Sequence, residues 1–212
     1  MDENIRWFYT RQAERVIRAL GPRGINAELV EAAQLARRVL ELVPKGAVVG
    51  MGGSMTLVQT GVLKALREAE VELLDRFREG LSEQEKAELY RRALTADVFI
   101  SGVNAITVDG ELVFVDAYGN RVAPILFGPS RVILLAGCNK IVPDIHAAHQ
   151  RIRFFVAPTN ARRLGRKSPC TTTGRCEDCA SPDRICNYTV VIHRQAVKQR
   201  MHLFLVPEEL GL

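Results

Sequence analysis

Apolar residues recur at three- and four-residue steps from the start of the chain, at Ile5, Phe8, Tyr9, Ala13, Val16, Ile17 and Leu20, and the pattern stops at Gly21-Pro22. That period marks one apolar face of a helix. A second predicted helix places Leu29, Ala32, Ala33, Ala36, Val39, Leu40 and Val43 on one side, with Asn26 as its N-cap and Pro44-Lys45-Gly46 as its terminator. Then the period changes. Ala47–Gly50 is a short apolar run followed at once by glycines and a new helical pattern through Leu57, Leu63 and Leu66, which reads as strand, tight turn, helix. Val71–Leu74 reads as a strand, and Ser82 with Glu85 forms a capping box that opens a helix running towards Leu94.

The alternation continues. Asp97–Ser101, Ala105–Val108 and Glu111–Val115 are strand-like, the last two joined at Asp109-Gly110, a two-residue hairpin signal. Val132–Ala136 reads as a buried strand, Asp144 to about Val156 as a helix, and Val190–His193 and Leu203–Val206 as closing strands. Alternating strands and helices with one inserted hairpin predict an α/β fold, a largely parallel sheet flanked by helices, with a C-terminal cysteine-rich loop. The expected organisation is an N-terminal helix over 1–26, an α/β domain over 27–168, the cysteine loop over 169–187, and strands over 188–212 that complete the domain.

Composition bounds the class. With 212 residues and 47% hydrophobic content the chain can bury a full core, and its longest apolar runs are too short to span a membrane. The first residues carry charges throughout and contain no secretory apolar run, so a reducing, cytoplasmic setting is expected. A net charge of +5 is too slight to argue for nucleic acid, and no aromatic residues interleave the arginines after Phe155 as stacking platforms. The distribution of charge says more than the sum. From Arg151 to Arg175 there are seven basic residues and no acidic one. Such a stretch reads as a solvated helix face, as a field that stabilises nearby thiolates, or as a binding surface for an anion.

Four of the five cysteines, Cys170, Cys176, Cys179 and Cys186, follow that basic stretch in the segment PCTTTGRCEDCASPDRICN. Thiolates need a strong counter-charge near neutral pH, and one metal ion or one iron–sulfur cluster supplies it to all four. Disulfides are the plainer alternative, disfavoured in a reducing compartment. The spacing C-x5-C-x2-C-x6-C holds a single CxxC knuckle, closer to ferredoxin-like spacing than to the paired knuckles of structural zinc. A 4Fe-4S cluster is therefore the expected cofactor, with zinc as the alternative.

Three further segments can carry chemistry. GMGGSMTL puts Gly52, Gly53 and Ser54 at a strand-to-helix turn, where backbone N–H groups can meet an anion, although the segment is neither GxGxxG nor a P-loop. Asn104 follows a strand expected at the centre of the sheet, and the hairpin can bring Asp116, Asn120 and Arg121 back to the same crevice. Asn139 and Lys140 follow the buried strand that ends near Gly137, so Lys140 can meet a substrate anion. Asp97, Asp116 and Lys140 are the acid/base candidates. The four histidines form no catalytic or metal motif and are read as structural, and Cys138 as a small buried residue.

GGSMTL, NAITVDGELVFVDAYGNRVA, FGPSRVILLAGCNKIV and the cysteine segment together resemble the lactate-utilisation (LUD) domain family, specifically its short stand-alone members with a cysteine-rich end. The likeness runs from about Glu28 to His193. It implies a fold similar to the ribose-5-phosphate isomerase, glucosamine-phosphate deaminase and CoA-transferase superfamily, whose anion-binding turn corresponds to Gly52-Gly53-Ser54. It also implies an association with lactate oxidation in iron–sulfur systems, while this chain has only one cysteine group and no tandem ferredoxin motifs. The partners so implied are a small anionic ligand (carboxylate or phosphate) and a redox partner protein, with homo-oligomer formation left open and neither membrane nor nucleic acid included. The competing expectation is an isomerase- or transferase-like enzyme with a structural zinc site.

Overall fold

The computed structural model describes residues 1–212, and the apolar periodicities resolve into nine α-helices and ten strands. In chain order these are α1 (Glu3–Leu20), β1 (Asn26–Leu29), α2 (Ala32–Glu41), β2 (Val48–Met51), α3 (Met55–Gln59), α4 (Val62–Glu68), β3 (Glu72–Leu73), α5 (Glu83–Arg92), β4 (Val98–Gly102), β5 (Ala105–Thr107), β6 (Leu112–Asp116) and α6 (Val122–Leu126). There follow β7 (Arg131–Gly137), β8 (Ile141–Val142), α7 (Ile145–Arg151), α8 (Ala157–Arg163), α9 (Cys170–Thr173), β9 (Tyr188–Ile192) and β10 (Met201–Val206).

The main sheet has six parallel strands in the order β1-β10-β7-β4-β2-β3. Its central strands are buried on both faces, and their alternate residues feed two separate cores. Val132, Leu134 and Ala136 of β7 join Val16 and Leu20 of α1, whereas Ile133 and Leu135 join Leu35 and Val39 of α2 with Leu57 and Leu66. Period-2 side-chain alternation therefore explains why VILLA had to be apolar at every position. Helix α1 belongs to the first of these cores, so the N-terminal segment is an integral layer of the domain rather than an appendage.

A second, four-stranded sheet of order β8-β5-β6-β9 stands beside the first. It is the inserted hairpin, β5 antiparallel to β6, with β8 added in parallel and β9 antiparallel. Gly110, at φ +90°, makes the turn, as the Asp-Gly pair predicted. No helix in the structure is long and apolar enough to cross a membrane.

Four expectations need correction. Asn26 is no N-cap: Asn26–Leu29 is an edge strand in register with His202–Leu205, and the helix begins only at Ala32 after Glu31. Asn-Ala-Glu-Leu has helical local preferences that the ladder offered by β10 overrides. The helix expected through Leu57 and Leu66 is broken at Gly61, whose φ of +72° is left-handed. The helix expected to stop near Val156 continues to Arg163 by way of a π turn over Ile152–Val156, with Ala157 and Pro158 next in the chain. Helix α6 lies in a stretch for which the residues predicted no element, because its capping carboxylate comes from outside the helix, as described below.

Candidate functional site

The C-terminal ends of β2, β4 and β7 open onto a cavity of about 380 Å³, walled on one side by the small sheet. Ligand crevices in open α/β sheets lie at this edge. Gly53 and Ser54 come from the turn after β2, Asn104 from the loop after β4, and Lys140 from the 3-10 turn after β7. Asn120 and Arg121 enter from the loop after β6. The predicted turn, hairpin and lysine segments therefore converge on one space.

Within that group the side chains divide into those that bind the fold and those left free. Arg121 donates to the carbonyls of Gly102 (3.2 Å) and Val115 and to Asn104 Oδ1 (2.7 Å), so its guanidinium is spent on the protein. Asp116 accepts from the backbone N–H groups of Ala117 (2.7 Å), Arg121 (3.0 Å) and Val122 (3.1 Å). It is thus the external cap of α6 and a fixed counter-charge for Arg121. Burial pulls the Arg121 pKa down, Asp116 opposes that, and Arg76 adds to it. Asn104 Oδ1 also accepts from Val115 N–H (3.0 Å), which leaves the amide Nδ2 as its free donor.

Three predicted residues do not line the cavity. Asp97 sits at the opposite, N-terminal end of β4, where its carboxylate accepts from Val48 N–H (2.8 Å), too far round the sheet for acid/base work in this cavity. Asn139 turns away to accept from Leu210 N–H (3.2 Å) and anchors the C-terminal segment. Gly52 packs behind the turn, against Ser101 and Arg121.

The cavity wall holds six basic side chains, Arg76, Lys86, Arg121, Lys140, Arg163 and Arg166, against only Glu83 and Asp116. Glu83 pairs with Lys86 (2.7 Å) and Asp116 stands beside Arg121 (4.0 Å), while Arg166 has Asp183 at 3.9 Å. Arg76, Arg163 and Lys140 have no acidic partner. Arg76 lies over the ring of Tyr90 (4.8 Å) and within 3.2 Å of the point where a Gly53 side chain would begin, so it covers the glycine turn. Arg163 is oriented by Asn160 Oδ1, to which Nε (3.0 Å) and a terminal nitrogen (2.8 Å) both donate. Burial, and then Arg76, lower the Arg163 pKa. Like charges held across a recess are what a bound anion would relieve.

Lys140 is the most perturbed of these groups. It is only 3% exposed, its Nζ has a single long contact to Thr56 Oγ1 (3.4 Å), and burial, then Arg151 and Arg121, push its pKa down to about 7. Arg76 escaped the sequence reading. Its one signal was position, just past a predicted strand and so at the same edge of the sheet as the other loops. Arg163 belonged to the basic stretch but carried nothing to separate it from its neighbours.

Beside this cavity, sharing Ile185 as a wall, lies a recess of about 10 Å³ lined by Cys170, Cys176, Cys179 and Cys186. All four thiols are free and partly buried. The loop is docked by a consequence of the π turn. Ala157 N–H donates to Ile152 O instead of Arg153 O, and Pro158 has no N–H to offer, so the Arg153 carbonyl accepts from Cys176 N–H (3.1 Å). Asp178, at φ 47°, bends the CxxC segment, and its N–H donates to Cys176 Sγ (3.4 Å). Arg184 donates to the carbonyl of Cys179 (2.7 Å) and opposes the burial that raises the Cys186 pKa. The donor set, four soft thiols on one recess with an N–H and a guanidinium turned to them, suits a thiolate-bound metal or cluster. As they stand, however, no three His, Cys, Asp or Glu side chains are arranged to hold a metal ion.

Comparison with known proteins names the family. The LUD domain model matches residues 13–206, and the chain belongs to that family. A DUF162 family protein from Deinococcus radiodurans has a similar fold over 95% of this chain and 98% of its own, at 13% identity and a TM-score of 0.52. Weaker likenesses are to eIF2B beta from Chaetomium thermophilum (TM-score 0.36, 18% identity, 53% of this chain and 43% of that one) and ribose 5-phosphate isomerase A from Neisseria gonorrhoeae (0.35, 12%, 64% and 66%). No curated protein matches the chain.

Proposed function

We propose that this LUD-domain protein binds a small carboxylate or phosphate in the cavity above β2, β4 and β7, carries one 4Fe-4S cluster on Cys170, Cys176, Cys179 and Cys186, and serves lactate utilisation or related redox metabolism. The observation that carries the ligand reading is the pair Arg76 and Arg163, two guanidinium groups facing one recess, neither of them in an ion pair with a carboxylate. Arg163 is held by Asn160 and Arg76 by the face of Tyr90, so both are oriented before a ligand arrives and little ordering entropy remains to be lost on binding. Ser54 and the Asn104 amide supply neutral donors beside them.

For the thiols, support comes from convergence of all four on one recess and from the Asp178 N–H turned to Cys176 Sγ, the kind of hydrogen bond that tunes cluster sulfurs. A cluster bound there would supply one-electron transfer. The chain's own part is to hold the thiols beside Arg184 and within one wall of the ligand cavity. The redox partner belongs on the exposed side of this loop.

Anaerobic purification followed by iron, sulfide and zinc analysis tests the cofactor. Iron and sulfide in equal amounts with brown colour are expected, and a colourless chain with one zinc would sink the redox role. Calorimetric titration with oxalate and with inorganic phosphate tests the cavity, and absence of binding by both would end the ligand reading. A structural zinc site would instead leave Lys140, the buried amine at the cavity floor, as the chief chemical group of an isomerase- or transferase-like enzyme.

A further inference from the structure

Lys140 has a task that anion binding leaves unexplained. A structural lysine buried to this degree ordinarily meets a carboxylate, because an isolated ammonium loses most of its hydration on burial. Here no carboxylate is within ion-pair reach, and the one polar contact of Nζ is Thr56 Oγ1 at 3.4 Å. The charged groups that bear on it are all cations, Arg151 and Arg121. Arg151 is fixed by donating to the carbonyls of Asn104 (3.0 Å) and Asn139 (3.3 Å), and Arg121 by the acceptors already described, so neither can swing away. The fold therefore holds a cavity-lining amine where its protonated form is opposed from more than one side.

Such an amine is ill-suited to attract an anion by charge and well suited to attack a carbonyl, the arrangement by which lysines are activated for imine formation. We propose, resting on the anion-site reading above, that the ligand of this cavity is an anion that also carries an aldehyde or ketone, and that Lys140 Nζ condenses with that carbonyl. The charged end would lie against Arg76 and Arg163 and the carbonyl against the amine. In the step the Nζ–C bond forms, the C–O bonds break, and the two amine protons leave with the carbonyl oxygen as one water. No oxidant or reductant is consumed. Thr56 Oγ1, 3.4 Å from Nζ, is the hydroxyl that can take a proton from the amine. The imine nitrogen, once protonated, can draw electrons from the adjacent carbon, which gives the cavity a means of loosening a bond next to the carbonyl without a metal.

The test is reductive trapping on the intact purified protein. Pyruvate and glycolaldehyde phosphate serve as the probes, one with a carboxylate and one with a phosphate as the charged end, each with borohydride, followed by intact mass and peptide mapping. A single adduct at Lys140, blocked by excess oxalate or inorganic phosphate, is expected with at least one probe. The Arg76→Ala chain should trap about tenfold less at limiting probe, the loss expected from one charge-assisted contact. Lys140→Arg, which keeps a cation but cannot form an imine, should trap nothing at that position while still binding oxalate. Adducts confined to surface lysines, or no adduct from either probe while oxalate or phosphate binds calorimetrically, would overturn the imine and leave the anion site standing. Failure of both trapping and calorimetric binding would remove the anion site as well.

Discussion

The basic cavity and the cysteine recess share a wall at Ile185 and are built in opposite ways. Around the cavity, Arg121, Asp116 and Arg151 are locked by backbone carbonyls and N–H groups of the sheet ends, and the space is already open at about 380 Å³. Around the recess, the four thiols hang on a loop whose only helix is the single turn α9, and the space is about 10 Å³. One site is preorganised by the scaffold, the other by few contacts. Where the scaffold is complete, a ligand gains affinity without ordering the protein, whereas a thiolate site commonly gains its final geometry together with its metal.

The largest effect that would sharpen this contrast is at the thiols. Replacing Cys176 and Cys179 together by serine should abolish iron loading, while oxalate binding in the cavity changes by less than about threefold, because no cavity-facing cation depends on those side chains. A comparable loss of oxalate affinity would show that the two sites form one unit. Next in size, the Arg76→Ala/Arg163→Ala double variant should lose about a hundredfold in anion affinity by calorimetry and most of its salt dependence, with iron content unchanged.

In stability rather than affinity, the larger effect is the linkage to Lys140. Its pKa falls from 10.5 to about 7 on folding, so between those values the unfolded chain binds a proton that the folded chain lacks. The stability this amine contributes is complete above about pH 10.5 and is lost as pH falls towards 7. Lys140→Met should therefore gain on the order of 4 kcal/mol relative to wild type at pH 7, with the gap closing as pH rises, as read from urea midpoints at several pH values. A gap that does not change with pH would mean that the amine is hydrated and unperturbed. The smallest change expected is at Asp116. Asp116→Asn keeps an oxygen acceptor but not the charge for three N–H groups and Arg121, and should lower stability by about 1 kcal/mol. Loss of oxalate binding without loss of stability would instead give Asp116 a direct role.

The sheet was legible wherever an apolar run had to be buried on both faces, as in Val98–Gly102 and Arg131–Gly137, and wherever a turn residue allowed few conformations, as at Asp109-Gly110 and the Ser82–Glu85 capping box. It was illegible where stability came from a partner remote in sequence. Asn26–Leu29 becomes a strand only because β10, some 170 residues on, presents a ladder, and α6 forms only because a carboxylate before its first turn captures its N–H groups. For the candidate site, glycine turns and strand ends pointed to the edge of the sheet where the cavity lies, since backbone geometry there is written into local residue types.

By itself the sequence determined the class of fold, the family and the presence of four thiols in one loop, because these follow from periodicity, from long motifs and from composition. Tertiary structure alone decided which cations are free. Arg121 and Arg163 are the same residue in a sequence, yet one is consumed by Gly102, Asn104 and Val115 and the other faces the cavity without an ion-pair partner. Whether a charge belongs to the fold or to a ligand depends on which acceptors surround it in space, and that is set only when the strands have brought their loops together.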